Sequence, residues 1–137
     1  MLAVHRAVRG ADGELKASHD VSNLIVTTGN AFIASAIIAA SASPFNRVAI
    51  GSSVAPPALT DVALGTEIIR VLATTSLVGS IATFVANYPA GIGTGAITEA
   101  GIFNAPAAGT MLSHVSFPAI NKAAVDTLTI TWNITAG

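Results

Sequence analysis

Between Thr127 and Thr135, Leu128, Ile130, Trp132 and Ile134 alternate with threonine and asparagine without a break. A period of two puts the apolar side chains on one face and the polar ones on the other, the pattern of a half-buried strand. A sheet face of this kind must be covered by a second layer. Trp132, the only tryptophan, sits in the apolar phase and is expected to anchor the core. Its large area and single N–H donor would also suit an interface anchor.

The rest of the chain supplies further strands. Ala3 to Arg9 and Glu14 to His19 read as extended segments joined by Gly10-Ala11-Asp12-Gly13, an Asp-Gly hairpin signal. The apolar Asn23 to Val26 runs into Thr27-Thr28-Gly29-Asn30, which offers several helix caps. Phe32, Ile33, Ala36, Ile37 and Ala40 then draw one helical face, and Ile38 broadens it. A helix over about 31–40 is therefore expected, anchored by Phe32, buried on most sides and stopped before Pro44. Arg47 to Gly51 is a brief strand, and Ser52 to Pro57 a loop in which Pro56 and Pro57 remove two backbone donors. One helical turn is expected from Asp61 to Leu64, capped by Thr60 and ended by Gly65. Ile68 to Ser76 and Ser80 to Tyr88 read as strands meeting at a Val78-Gly79 hairpin. Pro89 to Gly95 is a glycine-rich turn, and Ile97 to Phe103 and Thr110 to Phe117 are further strands. Many short strands and a single helix predict an antiparallel β-sandwich, jelly-roll-like, with a β-barrel as the alternative. One globular domain is expected, with residues 1–22 as a hairpin or arm on a sandwich of residues 23–137.

Charge narrows the function. Charged residues are 9% of the chain, six basic against seven acidic, where about 25% is usual. So bare a surface is a poor colloid as a free monomer, and a homo-oligomer follows. The six basic residues are scattered, with no basic run, so nucleic acid is not an expected partner. The longest apolar run, Ala31 to Ala40, falls short of the ~20 residues a bilayer needs. His5, Arg6, Arg9 and Asp12 interrupt any signal-peptide stretch. The absence of cysteine excludes disulfides and thiolate metal sites.

No local spacing assembles chemistry. His5, His19 and His114 lack a partner at ligand spacing and read as surface or interface histidines, so no metal is expected. Gly91-Ile92-Gly93-Thr94-Gly95 lacks the G-x-G-x-x-G spacing and has no helix behind it to receive a phosphate. Gly51-Ser52-Ser53 is not a nucleophile elbow. Glu67, Glu99 and Asp126 read as ordinary charges, or as members of an ion pair such as Glu67 with Arg70, more readily than as paired catalytic carboxylates. The Asn133-Ile134-Thr135 sequon lies in a strand and reads as chance. No catalytic residue, cofactor or enzyme activity is expected.

Several motifs together resemble a family of small bacteriophage virion structural proteins. These are Asn23 to Ile38, Val48 to Gly51, Ala55-Pro56 with Asp61, Leu64-Gly65-Thr66-Glu67, and the segments Ile97 to Phe103, Met111 to Lys122 and Asp126 to Ile134. Gly51-Ser52-Ser53 departs from the Gly-Thr-Gly frequent in that family. The resemblance implies a virion component without enzyme activity, assembled in the bacterial host cytoplasm. With no fibre stalk attached, it implies a capsid decoration (cement) protein; a tail or tail-fibre-associated receptor-binding module is the alternative. The expected partners are the major capsid protein and further copies of the chain, as a trimer before a dimer. The candidate contact residues are Arg6, Arg9, Glu14 and Lys16 in the polar N-terminal segment, then Pro56, Pro57 and Tyr88.

Overall fold

The computed structural model of the chain describes residues 3–22, 24–38 and 43–135, apart from the side chains at 3–6, 19, 37 and 38. Its centre is the strand β10 (Thr127–Thr135), whose Leu128, Ile130 and Trp132 are buried between two sheets. The first sheet runs β2 (Leu15–Ser22), β1 (Ala3–Arg9), β10, β7 (Ile81–Tyr88), β6 (Thr74–Val78). The second runs β3 (Leu24–Ile25), β9 (Met111–Lys122), β8 (Gly95–Phe103), β4 (Arg47–Gly51), β5 (Glu67–Leu72). Every pairing is antiparallel, so the chain is the β-sandwich with one short helix that its sequence predicts.

The two inner faces supply the core. Val48, Ile50, Ala100, Ile102, Leu112 and Val115 of one sheet meet Val8, Phe84, Ala86, Leu128, Ile130 and Trp132 of the other. Tyr88 is fully buried among them, and its hydroxyl donates to the Val48 carbonyl at 2.7 Å. That bond joins the sheets and satisfies the one polar atom of a buried ring. Burial raises the Tyr88 hydroxyl far above its ordinary range, with the Glu67 charge adding to the effect. Tyr88 was expected at a contact surface; it is instead a core residue. A second, smaller core of Val26, Ala49, Leu64, Phe103 and Met111 lies on the outer face of the second sheet. There the loop 52–66 and the start of the helix cover the strands.

The Asp-Gly hairpin forms as expected: the Gly10 amide donates to Glu14 and the Gly13 amide to Gly10, with φ +84° at Gly13. It is not an arm. β1 is an interior strand between β2 and β10, Val8 is in the core, and Ala17 and Val21 pack against it. Lys16 Nζ lies 2.7 Å from the buried Asp126 carboxylate in the β9–β10 turn.

Three elements depart from expectation. The helix α1 is Thr27–Ile38, four residues earlier than predicted at its start. Its first turn is set by tertiary contacts that local spacing does not encode. Gly29 lies so close to the Leu112 backbone that a Cβ would collide with it, and the Thr28 hydroxyl donates to the Met111 carbonyl. Beyond that turn α1 is exposed at Ala31, Ile33, Ala34, Ser35 and Ala36, so it is not buried on most sides. The predicted strand Ile68 to Ser76 is two strands, β5 and β6, in different sheets. The chain changes sheet at the buried Ala73, whose amide donates to Asn46. The helical turn at Asp61 does not form. The Asp61 carboxylate instead accepts the Ala58 amide at 2.8 Å in a non-helical turn.

Candidate functional site: a buried clamp and an apolar groove

Two features of this sandwich go beyond packing. The first is the attachment of the loop 52–66 to the outer face of the second sheet. Glu99 of β8 is completely buried, in a strand otherwise free of charge. Its Oε1 accepts the amides of Ser53 at 3.1 Å and Thr66 at 2.8 Å, and its Oε2 accepts that of Gly65 at 3.0 Å. The neighbouring strand brings His114, opposite Gly101, to the same face. His114 Nε2 lies 2.9 Å from Glu99 Oε2, and Nδ1 lies 2.7 Å from Asp61 Oδ2. A buried carboxylate is costly unless its lone pairs are used, and here the loop's own amides use them. Burial opposes ionisation of Asp61, but the Ala58 amide and the His114 ring outweigh it and hold the carboxyl below its ordinary range. Gly51, paired with Glu99 across the strands, is required at this point. A Cβ there would meet the Glu99 carboxylate and the Thr66 carbonyl.

This cluster is a clamp. Both nitrogens of the ring and both oxygens of Glu99 are engaged within the chain. The two carboxylates flank the ring on opposite sides, and among the described residues no three metal-ligating side chains converge. His114 is 4% exposed, so the expectation of a surface or interface histidine fails for it; the side chains of His5 and His19 lie outside the described residues. The clamp's result is a fixed loop that displays Val54, Leu59 and Val62, which are 83%, 55% and 61% exposed. Pro56 is exposed and Pro57 half-buried in the same loop.

The second feature is an open groove of about 560 Å³ between α1 and the β6–β7 hairpin. Phe32, Ile33 and Ala36 form the helix wall; Leu77, Ala82 and Phe84 form the hairpin wall. Phe32 is half-buried and packs edge-on against Phe45, with ring centroids 4.5 Å apart. It is a groove-wall residue rather than the core anchor expected of it. None of the described residues lining the groove is ionisable.

The structure does not gather the expected contact residues. Arg9 donates to the Gly13 carbonyl, Glu14 is exposed, and Lys16 is held by Asp126; the Arg6 side chain lies outside the described residues. All four belong to the hairpin whose turn is at the end of the sandwich opposite the groove. Glu67 and Glu99 pair with Gly51 from opposite sides, Asp126 lies in the β9–β10 turn, and each is engaged with its own partners within the chain. Glu67 makes a two-pronged pair with Arg70, at 2.8 and 3.0 Å, and the Arg70 guanidinium lies over the Phe103 ring. The clamp was missed because its members are 15 and 38 or more residues apart. One signal did exist: an acid and a histidine on otherwise apolar strands need partners. Among the described residues no helix is long and apolar enough to cross a membrane. Comparison with protein-family models, curated proteins and solved structures gave no match.

Proposed function

We propose that the chain is a bacteriophage virion structural protein, a decoration (cement) protein that binds an assembled coat lattice as a homo-oligomer. The observation that carries this reading is the groove beside α1, an open apolar surface with no ionisable residue among the described residues of its lining. On a chain with so few charges, such a surface suits burial against protein. The loop 52–66 adds a second contact, held in one conformation by Glu99 and His114, so little ordering entropy opposes its docking. The motifs that resemble the virion family support the same reading. Val48 to Gly51, Leu64 to Glu67, Ile97 to Phe103 and Met111 to Lys122 together build the second sheet and the loop clamped on it.

The mechanism follows from linkage. A protein that binds only the assembled lattice stabilises it by mass action, and many copies that each touch more than one coat subunit act multivalently. The N-terminal segment is part of the sheet, so the lattice contacts are assigned to the loop 52–66 and the groove. Copy number measured by quantitative mass spectrometry on purified particles tests the reading. Hundreds of copies per particle are expected. A handful moves the protein to the tail, and none overturns the virion assignment.

A further inference from the structure

An edge strand leaves one row of backbone N–H and C=O groups without a ladder partner, and proteins usually protect such edges with charge, proline, bulges or short length. Three of the four edges here follow that rule. β2 carries Lys16 and Asp20, β3 is two residues long, and β5 carries Glu67 and Arg70. β6 does not. Its sequence, Thr74-Thr75-Ser76-Leu77-Val78, has no charge and no proline, and its pairing with β7 runs without a bulge. All five residues are exposed, Leu77 by 74% and Val78 by 75%. These two point to opposite faces of the strand, and Leu77 lines the groove.

We propose that β6 pairs antiparallel with β6 of a second copy, about a twofold axis at Ser76, to give one continuous ten-stranded sheet. Charge selects the occupant. Neither the strand nor the described lining of the groove beside it offers an ionisable group, so a charged partner strand would be desolvated there without a counter-charge. A second β6 is neutral and meets its own image without conflict, as an isologous contact requires. Centred on Ser76, the pairing sets Thr75 opposite Leu77 of the second copy and Thr74 opposite Val78 of the second copy. Directly opposed residues share a face. Both Leu77 side chains therefore lie on the groove side, where each copy extends the other's apolar wall. This deepens the homo-oligomer part of the reading above and rests on that part alone. It names a twofold pair where the resemblance implies a trimer.

Light scattering at micromolar concentration tests the pair. The wild type is expected at twice the chain mass of 13.7 kDa. Ser76→Lys and Val78→Lys put a charge at exposed edge positions and are expected to give folded monomers with unchanged circular dichroism. Val125→Lys, an exposed position in the β9–β10 turn, is expected to remain paired. Amide exchange across β6 should also slow as wild-type concentration rises. A monomeric wild type, an oligomer that survives both β6 variants, dissociation by Val125→Lys, or exchange independent of concentration overturns the proposal. Co-sedimentation with particles is read separately, so a monomer that still binds particles overturns the pair and leaves the virion reading standing.

Discussion

Trp132 shows how one residue can stabilise a core while carrying a penalty. Its ring is fully buried, yet its Nε1–H has no acceptor among the described residues. A buried donor without a partner costs about 1–3 kcal/mol. Trp132→Phe removes that penalty while losing some contact area, so urea unfolding is expected to place it within about 1 kcal/mol of wild type. Trp132→Ala is expected to cost about 3–5 kcal/mol, as truncation of a buried aromatic does. Equal losses for the two variants would mean that the donor is satisfied in solution. Glu99 is the opposite case, a buried carboxyl group with both oxygens engaged. Glu99→Gln keeps the shape but turns one acceptor into a donor. If its amide nitrogen takes the Oε2 place, it faces the Gly65 amide and the His114 ring; if it takes the Oε1 place, it faces the Ser53 and Thr66 amides. In the first case only the Gly65 bond is lost, because the ring accepts at Nε2 when its Nδ1–H donates to Asp61; in the second both amide bonds are lost. The first orientation is favoured, and a cost of about 1–3 kcal/mol is expected from the same unfolding measurement.

Among the elements, those whose pattern is local were legible in the sequence. The alternation around Trp132, the Asp-Gly hairpin and the glycine turn after Val78 each encode their own geometry; Gly79 takes φ +57° in the two-residue turn where a hairpin needs it. Elements set by distant contacts were not legible. Nothing at Ala73 breaks the strand-like run from Ile68, because the chain changes sheet there without a turn residue. The helix starts early because Gly29 fits against Leu112, 83 residues away. The groove and the clamp depend on register, which no single strand carries. The N-terminal hairpin gives the sharpest test of this distinction. Its polarity suggested an arm, but β1 covers one edge of β10 along seven paired residues. Deleting residues 1–22 would leave that edge open and uncover the core beside Val8. The expected product is insoluble or unfolded by circular dichroism. A folded truncation that merely fails to bind particles would restore the arm.

At the scale of the whole molecule, two carboxylates link the parts. Asp126 joins the β9–β10 turn to the N-terminal hairpin: the hydrogen bond from Lys16, then that from the Ala123 amide, hold it below its ordinary value of 3.8. Asp61 joins the loop 52–66 to His114 and is held below the same value. A carboxyl with a depressed folded value binds its proton later than the unfolded chain does as pH falls. The stability it contributes is therefore complete above the unfolded value and drains away as pH drops through the folded one. The fold should be insensitive to these two groups from pH 7 to 5 and lose stability below about pH 4. Asp61→Asn with Asp126→Asn removes both linkages. This double variant should be less stable than wild type at pH 7, and its denaturation midpoint should fall less between pH 5 and pH 3. A wild-type midpoint that stays flat to pH 3 would show that neither carboxylate ties the loop or the hairpin to the sandwich.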